Sequence, residues 1–330
     1  MFDFLRLQEY NLLPLAWRGA VLAIGNFDGV HLGHQAVLQK ALDLSREKKR
    51  PALVLTFEPH PKSFFQGSTS VDRLTQAAEK AEIFKIIGFH GVIEQPFDAQ
   101  FSALSADEFI TVILKETLDV SVVVTGENFR FGCQKSGNVS FLCQRGEEYG
   151  FKVVQIPCLC NAQRRTISSS FIRKLLLKGQ VSQVAHLLGY HYRVSSNVIQ
   201  GEKLGRRLGF PTANQFVPPQ TSLAHGVYAV KFRRANGVLY DGISSFGCRP
   251  TVVSNGVPVL ETYLFDFDGD LYGENCTVSF LQFLRGQEKF YELESLIAQM
   301  QHDEKEAQAV LRTKQPLSLL DEALTFKNIS

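Results

Sequence analysis

The first half of the chain alternates short apolar runs with amphipathic stretches. Five runs rich in β-branched residues predict buried strands, at residues 21–26, 52–57, 91–94, 120–125 and 152–156. Between them, apolar residues recur at helical spacing in the segments 34–49, 75–87 and 105–117. Apolar strands separated by helices are typical of a parallel sheet covered on both faces. The pattern therefore predicts an α/β fold whose ligands bind beyond the carboxyl ends of the strands, where the strand order reverses.

The second half follows a different pattern. After about residue 190, apolar and polar positions alternate, and tight turns separate the β-rich runs. Three of these turns contain Asn-Gly or Asp-Gly, at Asn236-Gly237, Asn255-Gly256 and Asp268-Gly269. Because these dipeptides are strong hairpin signals, we predict a hairpin at each and a small antiparallel β-barrel overall. An amphipathic helix from Glu292 to Leu311 is predicted to pack onto this barrel.

The length agrees with two domains. At about 150 residues per domain, a chain of 330 residues suggests two domains rather than one. We place the boundary where the pattern changes, which gives an N-terminal domain over residues 1–186 and a C-terminal domain over residues 187–330. The segment from Gly179 to His191 is the predicted hinge, after a predicted helix at Phe171 to Leu177.

Composition narrows the class of protein. The 35 Lys and Arg residues nearly balance the 33 Asp and Glu residues, so the overall charge does not predict a nucleic-acid partner. No apolar run approaches the ~20 residues that cross a bilayer, and the start lacks a secretory signal, so we expect a cytoplasmic protein with no membrane partner. The six cysteines include no C-x-x-C pair and are expected to be structural thiols rather than metal ligands. These observations leave open whether the chain forms a homo-oligomer.

The most specific motif of the N-terminal half directly follows its first predicted strand. It reads Gly25-Asn-Phe27-Asp28-Gly-Val-His31-Leu-Gly33-His34. Gly33 lets the backbone approach a ligand, the following helix begins with an electropositive end, and two imidazoles three residues apart share one helix face. Such a group can hold a triphosphate and stabilise charge that develops at its α-phosphorus, without a protein nucleophile. The alternative is a pair of structural histidines at a strand-to-helix turn.

Later segments add polar and aromatic groups. Ser168 to Ser170 would cap a helix that begins near Phe171, and Arg173 on its first turn would then face the same anion. Asn128 follows a strand end, where its amide could bond a polar edge of a ligand. The alternatives are an ordinary helix cap beside a solvated arginine, a loop turn, and packing of aromatic residues in the core. The residues that could wall a planar ligand are Phe57, Pro59, Phe129 and Phe131.

Together these segments resemble the nucleotidylyltransferase superfamily, in the form carried by bacterial FAD synthetases. Besides the His-x-Gly-His motif, the matching runs are Thr56-Phe-Glu-Pro-His-Pro61, Arg73-Leu-Thr75, Gly126-Glu-Asn-Phe-Arg-Phe-Gly132 and Ile167-Ser-Ser-Ser-Phe-Ile-Arg173, with Ser170 in place of the usual Thr. The resemblance implies a Rossmann-like nucleotidylyltransferase domain that transfers AMP from ATP to FMN, giving FAD and pyrophosphate with Mg²⁺. It implies catalytic roles for His31 and His34. It further implies ATP or phosphate binding by Gly25, Phe27, Asp28, Gly33, Ser168 and Arg173, and flavin binding by Phe57, Pro59 and Asn128.

The C-terminal half carries a second motif, a basic strip from Gly201 to Asn214. It reads Gly-Glu-Lys-Leu-Gly-Arg-Arg-Leu-Gly-Phe-Pro-Thr-Ala-Asn. The backbone N–H groups of a glycine-rich, basic strip can wrap a polyphosphate. Thr212 and Asn214 offer the hard oxygen atoms that Mg²⁺ prefers. The strip is not a Walker A loop, because the Gly-Lys-Ser/Thr order is missing. The alternative is a basic surface turn.

The strip resembles the riboflavin kinase family, whose pattern Gly-x-x-Leu-Gly-x-x-Leu-Gly-Phe-Pro-Thr-Ala-Asn it matches throughout. The resemblance implies that Glu261 is the base for the riboflavin 5′-hydroxyl and that Thr212 and Asn214 hold Mg²⁺. Without the resemblance, Glu261 would be taken for a solvated carboxylate on a strand. The residues expected to lie over ATP are Gly201, Gly205, Arg206, Gly209 and Pro211, and the residue expected beside the flavin is Arg285.

Two positions depart from the riboflavin kinase pattern. Ser245 and Phe246 stand just ahead of Gly247, where the family often has Asn, and Tyr263 stands where it often has His. Neither position is the expected base or a metal ligand. We therefore expect the kinase activity to persist and the flavin affinity to be the property affected.

Both resemblances together span about residue 22 to about residue 311. They imply an enzyme of FAD biosynthesis, whose C-terminal domain phosphorylates riboflavin to FMN and whose N-terminal domain adenylylates FMN to FAD, with ATP as cosubstrate of both. Three alternatives stay open. One of the two domains could be inactive, or the chain could be a relative of class I aminoacyl-tRNA synthetases, although their Lys-rich second signature is missing. The barrel could also be a non-catalytic module for single-stranded nucleic acid.

Overall fold

The computed structural model describes residues 4–65, 72–201, 209–218, 221–248 and 258–328. The chain forms two compact units, residues 1–168 and residues 169–330. The boundary between activities that we predicted after residue 186 stays a prediction. The segment predicted as a hinge, Gly179 to His191, contains a helix, Val181–Leu188. Within the described part of the chain, no helix is both long enough and apolar enough to span a membrane.

The first unit is built on six parallel strands. Its strands in chain order are β1 (Leu5–Leu7), β2 (Val21–Ile24), β3 (Ala52–Glu58), β4 (Gly91–Pro96), β5 (Val122–Gly126), β6 (Arg130–Phe131), β7 (Gly137–Asn138) and β8 (Lys152–Ile156). The main sheet has the order β1-β4-β3-β2-β5-β8, and β6 pairs with β7 outside it. All four residues of β2 are buried, as expected of a strand covered on both faces. The predicted parallel sheet is confirmed.

Helices connect these strands. They are α1 (Leu32–Lys48), α2 (Pro61–Phe65), α3 (Ala77–Ile86), α4 (Ala99–Ala103), α5 (Ala106–Glu108), which continues as a π-helix over Phe109–Thr117, and α6 (Val139–Tyr149). The three helical stretches predicted from periodicity correspond to α1, α3 and α5 with its π-helical continuation.

The order of the strands reverses between β2 and β5. From β2 the chain adds β3 and then β4 on one side, and it returns to place β5 and β8 on the other side. Ligands of open α/β sheets bind in the crevice at the carboxyl ends of such a pair. The loop after β2 carries the His-x-Gly-His motif, and the loop after β5 carries Asn128.

The second unit begins with two helices and continues as a closed barrel. Its elements are α7 (Ser169–Leu176), α8 (Val181–Leu188), β9 (Arg193–Ile199), β10 (Thr212–Phe216), β11 (Gly226–Arg233), β12 (Leu239–Cys248), β13 (Pro258–Leu264), β14 (Asn275–Arg285), α9 (Leu293–Thr313) and α10 (Leu319–Asp321), with a π-turn at Glu322–Phe326. The six strands are antiparallel and close in the order β10-β13-β12-β11-β14-β9. The predicted barrel with a C-terminal helix is confirmed.

The predicted hairpins have different outcomes. Asn236-Gly237 joins the paired strands β11 and β12, as predicted. The prediction at Asp268-Gly269 is wrong, because this turn lies between β13 and β14, which are not paired with each other. Closure of the barrel gives β13 the partners β10 and β12, so the local turn signal does not determine the pairing. Asn255-Gly256 lies outside the described residues.

The barrel is packed on both surfaces. Large side chains fill its interior, with Tyr228, Phe232, Phe246 and Phe280 almost fully buried. Outside the barrel, α9 packs Ala307 and Leu311 against a small apolar cluster of the strands. The N-terminal end of α9 is more open, since Leu293 is 51% exposed.

Two buried charged residues, Arg233 and Asp321, form hydrogen bonds that connect the segment after α9 to the rest of the second unit. The Arg233 guanidinium donates to four carbonyl oxygens, those of Gly237, Ala323, Leu324 and Lys327. The carboxylate of Asp321, which is fully buried, accepts from the backbone N–H groups of His191 and Leu317, both at 2.9 Å. It also lies 3.0 Å from Nδ1 of His191. These bonds satisfy polar groups that burial would otherwise leave without partners.

Removal of the buried charge at Asp321 is expected to destabilise the second unit. Burial alone would raise the pKa of Asp321, but hydrogen bonds from His191 and Leu317 outweigh burial and lower that pKa. Its ionised form therefore stabilises the fold above the ordinary carboxyl pKa, and this contribution is lost as the pH falls through the lowered pKa.

Asp321→Asn should decrease the free energy of unfolding near neutral pH by about 3 kcal/mol, measured by urea unfolding. The exposed neighbour Glu322 provides the control, because Glu322→Gln should change it by less than about 0.5 kcal/mol. Equal losses in both variants would contradict the prediction.

Candidate active sites

The two motif histidines lie together at the carboxyl end of β2. His31 is the N-cap of α1, and its Nδ1 accepts a hydrogen bond from the backbone N–H of His34 at 3.3 Å. The two rings are stacked, with centroids 3.6 Å apart and planes inclined by 16°. The structure therefore brings both predicted catalytic side chains to the start of a helix at the reversal of strand order.

Both imidazoles favour the neutral form. Burial lowers the pKa of His31 to about 4. Burial, the neighbouring His31 and the positive charge of Lys80 lower the pKa of His34 well below its ordinary value. Nδ1 of His34 is buried and has no hydrogen-bond partner in the described residues. Near neutral pH the pair can thus bond phosphate oxygens without adding a full charge, while the N-terminus of α1 contributes its dipole.

The other motif residues support the histidines. Phe27 is buried and lies edge-on to His34, with ring centroids 5.4 Å apart. A Cβ atom at Gly25 would lie 3.1 Å from the Phe27 ring, and one at Gly33 would lie 3.2 Å from the His31 ring. The absence of side chains at these glycines thus leaves room for the aromatic rings. The predicted contacts of Gly25, Phe27 and Gly33 with ATP stay predictions.

Asp28 connects the motif to the segment before α3. Its Oδ1 accepts from the backbone N–H groups of Leu74 and Thr75, at 2.9 and 3.3 Å. In return, Oγ1 of Thr75 accepts from the N–H of Gly29 at 3.0 Å. These bonds explain why the Arg73-Leu-Thr75 run accompanies the histidine motif. They give Asp28 a structural role, and its predicted role in ATP binding stays a prediction.

The residues predicted to bind flavin in the first unit follow β3 and β5. Phe57 is buried and contacts the rings of Phe97 and Phe101. Pro59 follows a cis peptide bond and is exposed. Asn128 is exposed, and its Nδ2 donates to Sγ of Cys158 at 3.0 Å. An amide at this strand end has the polarity to bond a ribose or a flavin edge, and these three assignments stay predictions.

Two further aromatic residues have separate surroundings. Phe131 belongs to the core of the first unit, as the packing alternative predicted. Phe129 packs against that core, and its ring stacks on Phe131 with centroids 5.4 Å apart. A wall for a planar ligand would therefore be formed by Phe129 backed by Phe131.

The two residues predicted to bind phosphate together, Ser168 and Arg173, belong to different units. Ser168 is the last residue of the first unit. Arg173 lies on α7, which belongs to the second unit. Ser169 begins α7, so the expected helix start at the serine run is present. A joint phosphate site for Ser168 and Arg173 stays a prediction.

The predicted kinase residues share one face of the barrel wall. In the pairing of β10 with β13, Asn214 lies directly opposite Glu261, and Thr212 lies opposite Tyr263. Paired residues of antiparallel strands project to the same side, with Cβ atoms about 5 Å apart. The intervening residues Ala213 and Thr262 are buried toward the barrel interior, so the four residues belong to the outer face. The structure thus groups the predicted base with both predicted metal ligands.

The two departures from the family pattern flank the predicted base. Ser245 lies opposite Glu261 on the other neighbouring strand, β12. Tyr263 is the next residue along β13 on the same face as Glu261 and contacts the ring of Phe210 at 5.1 Å. Burial and the negative charges of Glu304 and Asp266 raise the pKa of Tyr263. The phenol therefore remains protonated near neutral pH.

The first residue of the glycine-rich strip approaches Asn214. A Cβ atom at Gly201 would lie 2.6 Å from Nδ2 of Asn214, so only glycine fits this approach. Asn214 is buried, and its Nδ2 donates to the carbonyl oxygen of Thr212 at 3.1 Å. Gly209 has a φ of +88°, and Pro211 immediately precedes β10. Gly205 and Arg206 lie outside the described residues. The predicted roles of the strip in ATP binding stay predictions.

Arg285 has a protein partner. Its guanidinium forms a forked ion pair with Asp303 of α9, with Nε 2.9 Å from Oδ1 and Nη2 2.7 Å from Oδ2. Gln299 also donates to Asp303, at 2.7 Å. The pair connects the end of β14 to α9, and contact of Arg285 with a flavin stays a prediction.

A partly buried charge cluster near the histidine motif was missed from the sequence. Glu58, in the Thr56–Pro61 run, pairs with both Arg73 and Lys80. Lys80 is buried, although it lies on a helix whose lysines would ordinarily face solvent. One signal could have found it: Lys80 precedes Ile83 and Phe84 by three and four residues, so it falls on the apolar face of α3.

Comparison with known proteins assigns a family model to each half of the chain. The family model for FAD synthetase matches residues 13–195, and that for riboflavin kinase matches residues 188–311. The bifunctional riboflavin kinase/FMN adenylyltransferase of Escherichia coli strain K12 is 37% identical over 89% of this chain and 94% of its own. The protein of the same description from Haemophilus influenzae is 38% identical over 88% of this chain and 94% of its own.

A solved structure has the same architecture along nearly the whole chain. It is the structure of a protein described as a macrolide-efflux protein from Streptococcus pneumoniae, with a TM-score of 0.82 and 27% identity. The match covers 94% of this chain and 99% of the other.

The parallel-sheet unit with its histidine turn and the barrel with its carboxylate face define a two-module enzyme of flavin nucleotide synthesis. The two family models match the modules in the order in which the chain presents them. The chain belongs to the bifunctional riboflavin kinase/FMN adenylyltransferase family.

Proposed function

We propose that the outer face of the barrel at β10 and β13 phosphorylates riboflavin. The observation that carries this proposal is the register that sets Asn214 opposite Glu261 and Thr212 two residues away on the same face. Glu261 would accept the proton of the riboflavin 5′-hydroxyl as its oxygen attacks the γ-phosphorus of ATP. The bond between that phosphorus and the β-phosphate oxygen breaks, giving FMN and ADP.

The same face fits a divalent cation. Thr212 and Asn214 supply hydroxyl and amide oxygens, which are hard donors of the kind that Mg²⁺ binds. Gly201 lies close against Asn214, where a Cβ atom would come within 2.6 Å of Nδ2, so the glycine leaves the Asn214 side chain its position. We infer that Thr212 and Asn214 hold Mg²⁺, which when bound neutralises charge on the phosphates of ATP.

We further propose that the crevice after β2 and β5 adenylylates FMN. A phosphate oxygen of FMN attacks the α-phosphorus of ATP, the bond to the β-phosphate breaks, and FAD and pyrophosphate form. Neutral His31 and His34 would donate hydrogen bonds to the phosphates, and Asn128 would bond the ribose or the flavin edge. The support is the position of the stacked histidines at the start of α1, where the strand order reverses.

The proposal also includes a cytoplasmic location and small-molecule substrates. Five cysteines of the described residues are free thiols, which agrees with work in the reducing cytoplasm. The substrates are ATP, riboflavin and FMN, all small molecules. All residues assigned to the two reactions are present in one chain, so the proposal does not require a homo-oligomer.

Product analysis of the purified protein tests the proposal. Incubation with riboflavin, ATP and Mg²⁺ should yield FMN and then FAD, with one ADP and one pyrophosphate released for each FAD. When FMN replaces riboflavin, pyrophosphate should form without ADP, because the kinase step is bypassed. Removal of Mg²⁺ with a chelator should stop phosphorylation of riboflavin. A mixture that contains no phosphorylated flavin would refute the kinase assignment, and FMN that never becomes FAD would refute the adenylyltransferase assignment.

A further inference from the structure

Lys80 is a buried cation close to the adenylyl-transfer crevice. Its side chain is 5% exposed, and its ammonium nitrogen lies 2.7 Å from Oε1 of Glu58. The ammonium also donates to the carbonyl oxygen of Asn26 and to Oγ1 of Thr56, both at 3.4 Å. Burial of a lysine is costly unless its charge is paired and hydrogen-bonded. A residue of this kind is therefore a candidate for a specific role.

The contacts of Lys80 join two neighbouring strand ends. Asn26 lies two residues after β2, in the loop that carries the histidines, whereas Thr56 and Glu58 lie at the end of β3. Oγ1 of Thr56 itself donates to the carbonyl oxygen of Asn26 at 3.2 Å. Lys80 thus reinforces an existing connection and fixes the first residues of the motif loop against the sheet.

Lys80 shares its carboxylate partner with a second cation. Glu58 is paired with Arg73 as well as with Lys80. The charge of Lys80 therefore retains an influence on the neighbouring imidazoles.

Lys80 acts on the charge state of His34. The titratable groups that interact with His34 are His31 at the start of α1 and Lys80 on α3, and the positive charge of Lys80 is one cause of the lowered pKa of His34. Glu58 of β3 pairs with Lys80, with its Oε1 2.7 Å from the ammonium nitrogen. Phe27 covers another side of the His34 ring without a charge.

We propose that Lys80 is a positioning residue for adenylyl transfer, which holds the motif loop at Asn26 against β3 and so keeps the stacked imidazoles of His31 and His34 in place. This inference rests on the proposed adenylyl transfer at the His31–His34 site. It adds a group that does not itself touch the substrate.

Paired substitutions of Lys80 and Glu58 test the inference. Lys80→Met should lower kcat for FAD formation from FMN by about 10²-fold through misplacement of the histidine loop, with KM for ATP changed less than about threefold. As the pH is lowered, Lys80→Met should lose activity at a higher pH than the wild type does, because removal of a positive charge favours protonation of His34. Glu58→Gln should shift the acid limb, the low-pH side of the activity profile, to lower pH, since it removes a negative charge beside Lys80.

Three controls separate the possible outcomes. Lys85→Met replaces an exposed lysine of the same helix and should leave both activities unchanged. Riboflavin phosphorylation in every variant should remain within about twofold of wild type, because its site lies in the other unit. Lys80→Arg should restore most of the rate by restoring the charge.

Specific results would overturn the inference. Wild-type kcat in a folded Lys80→Met protein would do so, as would an acid limb that shifts the same way in Lys80→Met and Glu58→Gln. If Lys80→Met does not fold, Lys80→Gln takes its place, and wild-type kcat in that variant would equally overturn the inference. A wild-type protein that makes no FAD would instead refute the proposed adenylyl transfer, on which the role of Lys80 depends.

Discussion

Glu261→Gln is expected to lower riboflavin phosphorylation by about 10²- to 10⁴-fold, the usual contribution of a general base. The substitution keeps the size and hydrogen-bonding capacity of the side chain but removes its ability to accept the proton of the 5′-hydroxyl. Because Glu261 shares its barrel face with Thr212 and Asn214, the loss should fall on kcat rather than on KM for ATP. The measurement is FMN formation from riboflavin and γ-labelled ATP, separated by chromatography.

Two observations in the same protein control this result. FAD formation from supplied FMN should remain within about twofold of wild type, because that site lies in the other unit. Glu294→Gln, on the exposed first turn of α9, should change neither activity. A Glu261→Gln enzyme that phosphorylates riboflavin at the wild-type rate would show that another group is the base.

Substitution of His31 is expected to impair FAD formation and to leave riboflavin phosphorylation intact. His31→Ala should reduce FAD formation from FMN by at least about 10²-fold, the cost of losing one preorganised hydrogen-bond donor to a transition state. Riboflavin phosphorylation should persist. The two steps are followed by release of pyrophosphate from FMN and ATP, and by release of ADP from riboflavin and ATP.

The position of His31 provides a matched control for its structural role. As the N-cap of α1 it also accepts a hydrogen bond from the N–H of His34, so His31→Ala should cost about 1 kcal/mol of stability as well. His31→Asn retains a side-chain acceptor for the cap but lacks the imidazole, so it should be nearly as stable as wild type and equally poor in adenylyl transfer. Equal losses of both activities in His31→Ala, or an active His31→Asn, would contradict the assignment.

The sequence predicted most of the first unit because its signals are local. Buried strands such as Val21–Ile24 are apolar at every position, and the motif that follows them is contiguous. The barrel was predicted less completely. Thr212 and Asn214 were assigned from the sequence to a glycine-rich strip and strand β10 was not predicted, and only closure of the barrel sets Asn214 opposite Glu261. For the same reason the Asp268-Gly269 hairpin failed, since β13 and β14 each pair elsewhere.

The residues that sequence analysis missed act through distant partners. Lys80 contacts Asn26, which is far from it in the chain, so its role depends on the folded sheet. Arg285 was assigned to the flavin from a motif, whereas its ion pair with Asp303 depends on the docking of α9. Motifs identify residues that approach a ligand or organise a turn, and they carry little information about charge pairs formed between separate elements.

The anchoring of the last residues by Arg233 has a practical meaning for shortened versions of this enzyme. The riboflavin kinase family model ends at residue 311, yet three of the carbonyl groups that engage this guanidinium belong to Ala323, Leu324 and Lys327. Trimming the chain to the matched region would retain every assigned kinase residue while exposing Arg233, which is only 7% exposed in this fold. Expression of the kinase half should therefore extend at least to Lys327, and any fused tag is better placed at its other end.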